Sequence, residues 1–256
     1  MSPSPIALPP ALPAELLTWI LNHTTYPTTV LICKPRATFL ESLLSSINAS
    51  AGPPTPSSSR SNDDIPSSPP NPTTDNTTDA PQPTHPFLLK TLHQISISRH
   101  ISLVYIPTIS HLRAYVSVLP HPSKVPAPPD IAWQKKSNRK ARLIVYGVVE
   151  LHRDTSEWSA QGLGRSLAGL VEAGSRDGRG VVCLEDGMRE QNDVDPDEGE
   201  GEGRRRAWTG WEERVPMLNG SVRRGGLGDE DSGWSGRTVE VGRIFAKWFK
   251  FGKTEW

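Results

Sequence analysis

Residues 142–186 constrain the fold more than any other stretch. They open on an apolar run, Leu143-Ile144-Val145-Tyr146, continued by Gly147-Val148-Val149. A polar loop follows at 152–159, then apolar residues at helical spacing: Leu163, Leu167, Leu170 and Val171. Past a Gly-rich turn, a second apolar run, Val181-Val182-Cys183-Leu184, leads into Glu185-Asp186. A short apolar run, a helix and another short apolar run make a βαβ unit, with a crossover long enough to join parallel strands. Neither run alternates polar with apolar residues, as expected of strands covered on both faces.

The chain upstream repeats the pattern. Pro13 opens a helix whose stripe is Leu16, Leu17, Ile20 and Leu21, since proline suits a first helical turn. Residues 28–33 are β-branched and apolar and read as a strand, and 37–47 read as a second helix. Phe87, Leu88, Leu92 and Ile95 suggest a short helix, 101–106 a strand, and 109–119 a helix. Downstream, 215–218 and 237–241 read as a terminal pair of strands. Strands and helices alternating in this way imply a mostly parallel sheet covered by helices.

Much of the chain does not belong to a packed core. Only 35% of its 256 residues are hydrophobic and 25 are proline. Residues 1–13 read as an irregular Pro-rich N-terminus, and 14–256 as a single domain with insertions expected to be disordered at 50–86, 120–141 and 187–207. In the first insertion Ile65 is the one large aliphatic residue, too little apolar area to offset the entropy of ordering. Its Thr55-Pro56 and Ser68-Pro69 would suit phosphorylation, and a plain spacer is the simpler reading. The basic residues Lys135, Lys136, Arg139, Lys140 and Arg142 in the second read as a solvated loop rather than a phosphate patch.

Formal net charge is zero, so overall charge selects no partner class. Cys33 and Cys183 both lie in apolar runs and read as buried reduced thiols, and no His/Cys cluster has zinc spacing. No apolar stretch is long enough for a transmembrane helix, and Met1-Ser-Pro-Ser-Pro lacks a signal-peptide pattern. These features lead us to expect a nuclear or cytosolic chain, with no membrane partner.

The unit at 142–186 resembles the second half of a RecA-type ATPase core, among those the eukaryotic recombinases and their paralogues. In that family an apolar strand ends in the Walker B aspartate, and a polar loop leads into a Ser-Ala helix entry. Leu151-His152-Arg153-Asp154 and Ser159-Ala160-Gln161-Gly162-Leu163-Gly164-Arg165 stand in the matching order. The resemblance implies an α/β, RecA-like three-layer fold with a mostly parallel central sheet.

The family's catalytic parts are missing. No GxxxxGK[ST] occurs, so no glycine-rich loop offers backbone N–H groups to phosphates. The resemblance puts that loop within residues 1–13, which carry prolines, and proline has no N–H to donate. The Walker B aspartate falls at Gly147. Glu150 and Asp154 could hold Mg²⁺ from the loop beyond, but nothing places phosphates opposite them. Asp186 stands where the family keeps a polar sensor, and capping a turn is its simpler role. No catalytic residue, metal or cofactor is expected.

Two sets of residues could contact partners. By the resemblance, the loops after the two strands would face DNA. They offer Arg153, Trp158 and Arg165, a phosphate-plus-stacking set, and Arg204, Arg205, Arg206, Arg223 and Arg224. Seven acidic residues between Glu190 and Glu202 sit beside the second group, so those arginines could instead balance that run. In the tail, Trp248 and Phe251 beside Lys247 and Lys250 read as a protein interface.

The resemblance implies a non-catalytic RecA-like subunit, similar to Shu-complex paralogues. Such a subunit would bind a sister RecA-like subunit in the nucleus and help load recombinase for homologous-recombination repair, with single-stranded DNA as a further contact. The rival scaffold is an Elongator-type RecA-like subunit in tRNA modification, and the rival enzyme is an ATPase with an unorthodox site.

Overall fold

In a computed structural model, the described residues are 4–23, 27–50, 86–89, 91–121, 141–187, 209–218 and 237–253. Six parallel strands form the central sheet in the order β3-β2-β4-β5-β1-β8. They are β1 (Ile6–Ala7), β2 (Thr28–Ile32), β3 (Ile101–Tyr105), β4 (Arg142–Tyr146), β5 (Gly180–Leu184) and β8 (Lys250–Phe251). A separate antiparallel pair joins β6 (Arg214–Pro216) to β7 (Thr238–Glu240). The helices are α1 (Pro13–His23), α2 (Arg36–Ser50), α3 (Leu92–Ser98), α4 (Ile109–Ser117), α5 (Val148–His152), α6 (Ala160–Arg176) and α7 (Val241–Ala246). This is the three-layer α/β architecture expected of a RecA-like fold.

Strand alternation builds two cores from one sheet. Val30, Ile32, Ile144, Tyr146, Val182 and Leu184 face one way, with Leu16, Ile20 and Phe39 of α1 and α2. Leu31, Cys33, Leu143, Val145, Val181 and Cys183 face the other way, with α4, α6 and α7. The sidedness follows from right-handed crossovers: β1→β2 and β2→β3 run toward one edge, β3→β4 and β4→β5 toward the other. Gly174 lets α6 sit close on β5, since a Cβ there would lie 2.2 Å from the Val181 Cγ2.

At the amino ends of the strands, a buried Arg179 pairs with Asp177 at 3.2 Å and donates to Thr29 Oγ1 at 3.0 Å. It also donates to the Pro120 carbonyl, so one guanidinium ties the ends of α4 and α6 to β2. Burying a charge is tolerable only with such partners.

Three expectations change. Residues 1–13 are not merely irregular: Ile6–Ala7 is an interior strand between β5 and β8, too short to show a period. The polar loop expected from His152 does not begin as a solvated segment: His152 is buried and closes helix α5. Gly147 takes φ +80°, a left-handed conformation that favours glycine, and the chain turns there into α5. In α3, Leu92 and Ile95 do not form a buried stripe: Leu92 is 85% exposed, and Ile97 is buried instead. The expected insertions lie, apart from their ends, outside the described residues. Among the described residues, no helix is long and apolar enough to cross a membrane.

Candidate functional site

Open parallel sheets bind ligands outside the carboxyl ends of their strands. Here those ends belong to β2, β4, β5 and β1, side by side. Residues 8–12 join β1 to α1, where a phosphate-binding loop would lie, so the fate of their N–H groups decides what this end can hold. Leu8 donates to the Cys183 carbonyl at 2.8 Å and Ala11 to the Glu185 carbonyl at 3.0 Å. Leu12 donates to Glu15 Oε2 at 2.9 Å. Residues 9 and 10 are prolines and have no N–H. Every backbone donor of the loop is therefore engaged within the chain. The Ala11 carbonyl is engaged too, accepting from the Tyr146 hydroxyl at 3.0 Å and from the Gly187 N–H at 3.2 Å.

The side chains at this end close on one another. Lys34, just beyond β2, reaches across β4 to Asp186 beyond β5, with Nζ and Oδ2 2.6 Å apart. Gly147 lies beside this reach, but a Cβ there would make only ordinary contact with the Lys34 Cε, so its positive φ rather than lack of space calls for glycine. Burial raises the Tyr146 hydroxyl well above the usual tyrosine range, and Asp186 beside it adds to the shift. Glu185 is buried and accepts from the Val149 N–H at 3.1 Å, which holds the start of α5 against β5. Burial pushes its carboxyl up to about 8, against the opposing pull of that hydrogen bond. Burial thus favours the protonated form of Glu185.

Glu150 and Asp154 do not converge on a metal position. Glu150 accepts from Arg153 Nε at 3.1 Å, and Asp154 is an exposed residue at φ +59°. Among the described residues, no group of three His, Cys, Asp or Glu could hold a metal ion.

The expected nucleic-acid set comes together only in part. Arg153 lies over the Trp158 ring, 5.2 Å from its centroid, but its guanidinium also meets Glu150 at 3.1 Å and Glu213 at 2.7 Å. It ties α5 to β6 and covers one face of a half-buried tryptophan. Two carboxylates already balance its charge, which leaves it poorly placed for phosphate. Arg165 lies elsewhere, exposed on α6 beside a groove with α4 that Arg113, Glu172 and Arg176 also line. Arg204, Arg205, Arg206, Arg223 and Arg224 lie outside the described residues.

The tail set does come together. Phe245 and Phe249 are buried, whereas Trp248 is 39% and Phe251 52% exposed, with Lys247 and Lys250 exposed beside them. The α7 turn and the short β8 split the aromatic run in this way.

A buried pair in the supposed polar loop escaped the sequence reading. His152 Nε2 lies 2.9 Å from Ser166 Oγ, and its Nδ1 lies 2.8 Å from the Val148 carbonyl. Burial lowers its pKa, so the ring is neutral at neutral pH and locks α5 to α6. The available signal was spacing: His152 follows the buried Val148 by four residues, and Ser166 shares the stripe of Leu163, Leu167 and Leu170. No family model, curated protein or solved structure matches this chain.

Proposed function

We propose that this chain is a non-catalytic RecA-like subunit of a homologous-recombination complex. It acts by binding a second RecA-like subunit and helping to place recombinase on single-stranded DNA. One observation carries the non-catalytic half: residues 8–12 have no backbone N–H left for a phosphate. A nucleotide would have to break hydrogen bonds to β5, and two prolines offer nothing in return. Gly147 supports the same reading, because no carboxylate stands at the end of β4 to hold a metal.

The partner half rests on the tail. Exposed tryptophan and phenylalanine beside lysines, on the last described strand of the sheet, make a surface of interface composition. Reconstitution tests both halves. The purified chain should turn over no ATP, form a stable complex with a RecA-like recombinase paralogue, and in that complex speed recombinase loading onto single-stranded DNA. ATP hydrolysis abolished by Glu150→Ala or Asp154→Ala would overturn the non-catalytic half. Failure to bind any RecA-like subunit would overturn the other.

A further inference from the structure

We infer that the outer edge of β8 takes an extended acidic segment of the partner subunit, added to the sheet as a further strand. This deepens, and rests on, the partner-binding reading above. The backbone pattern at the edge comes first. Lys250 donates its N–H to the Pro5 carbonyl at 3.0 Å, and Gly252 donates to the Ala7 carbonyl at 2.8 Å. In a parallel ladder the residue between points its own groups the other way. The Phe251 N–H and carbonyl therefore face away from β1, on the last strand of the sheet among the described residues. An open edge of this kind is a template for an added strand.

Side chains flanking the edge narrow the occupant. Trp248, Phe251 and Ile6 are large apolar groups left exposed at this corner. The Phe251 ring is held in place edge-on against Trp211, with centroids 5.2 Å apart. Lys247, Lys250 and Lys253 are exposed around them, and none has an ion-pair partner among the described residues. The neighbouring Glu240 is taken by Arg214 and Arg243. Like charges brought opposite one another destabilise a pairing, so a second copy of this edge is a poor occupant. An acidic strand with apolar alternate residues matches both the lysines and the rings. Single-stranded nucleic acid would use the lysines and rings but not the outward backbone donor and acceptor.

The test uses the full chain and labelled short peptides: one alternating Glu and Val, one alternating Lys and Val, one alternating Glu and Ser. Oligo(dT) serves as a competitor, and anisotropy and amide exchange are the readouts. The Glu/Val peptide should bind about tenfold tighter than the other two, as two or three cross-strand charge pairs would give. It should also slow exchange of the Phe251 amide. The triple variant Lys247→Glu, Lys250→Glu, Lys253→Glu should reverse the preference toward Lys/Val. Three peptides that bind alike, oligo(dT) displacing the Glu/Val peptide from this edge, or a Phe251 amide already protected in a self-associated chain would each overturn the inference. A partner complex of undiminished affinity in the triple variant would overturn it while leaving the proposed function standing. Binding of the Glu/Val peptide without any RecA-like partner would do the reverse.

Discussion

The carboxyl end of the sheet and its β8 edge carry similar residues in opposite states. Each has a lysine and an aromatic ring beside backbone groups at the margin of the sheet. At the carboxyl end, Lys34 is paired with Asp186, the Tyr146 hydroxyl donates to the Ala11 carbonyl, and the loop donors are bonded to β5 and Glu15. At the edge, Lys247 and Lys250 are exposed, Trp248 and Phe251 are half in solvent, and the Phe251 backbone points outward. The place where open parallel sheets bind ligands is closed on itself here as a joint, whereas the flank is left exposed, and the proposed contact role rests on that difference.

Breaking the joint should cost most. Lys34→Met leaves the mostly buried Asp186 carboxylate without its ammonium, which typically costs about 3–5 kcal/mol. Denaturant unfolding of the variant should show that loss, and a near-neutral result would mean the joint is not closed as described.

Next in size is a pH effect from Glu185. Its carboxyl is raised in the fold from an ordinary 4.5 to about 8, so folding favours the protonated form. The associated stability is fully present below about 4.5 and is lost as pH rises toward about 8, on the order of a few kcal/mol across that window. Glu185→Gln should flatten this slope in chemical denaturation at a series of pH values. An unchanged slope would place the titration elsewhere.

Tyr146→Phe should cost about 0.5–1.5 kcal/mol, because it removes one of the two hydrogen bonds that the Ala11 carbonyl accepts. The melting temperature reads this directly, and no change would mean that the hydroxyl does not hold the loop.

The smallest effect on the isolated fold should come from the edge. Trp248→Ala should change stability by no more than about 0.5 kcal/mol, as surface substitutions do. The same change should weaken partner assembly about tenfold or more. Unfolding of the isolated variant would make Trp248 a core residue, and unchanged assembly would remove it from the interface.

The sequence revealed what periodicity and local chemistry encode. β2, β4 and β5 are visible because strands buried on both faces need continuous apolar runs, and α6 because its buried face recurs every three or four residues. The prolines at 9 and 10 and the glycine at 147 were equally visible, since proline and glycine leave local marks. β1 was not, because two residues carry no period and their place depends on partners far along the chain. The pairing of Arg153 was not legible because Glu213, sixty residues away, supplies a carboxylate that balances it. The Lys34–Asp186 pair spans 152 positions, and Glu185 looks like any strand-end carboxylate until the packed sheet buries it. Burial and long-range pairing are properties of the assembled sheet, so no single stretch announces them.

The most direct measurement is thermal unfolding of the purified full chain with and without millimolar MgATP. A nucleotide bound at a hundredfold excess over its Kd would stabilise the fold by about 2.7 kcal/mol. The expected result is an unchanged melting temperature, because residues 8–12 have no N–H to offer. A saturable rise of several degrees, lost in Lys34→Met, would contradict it and return the carboxyl end of the sheet to nucleotide chemistry.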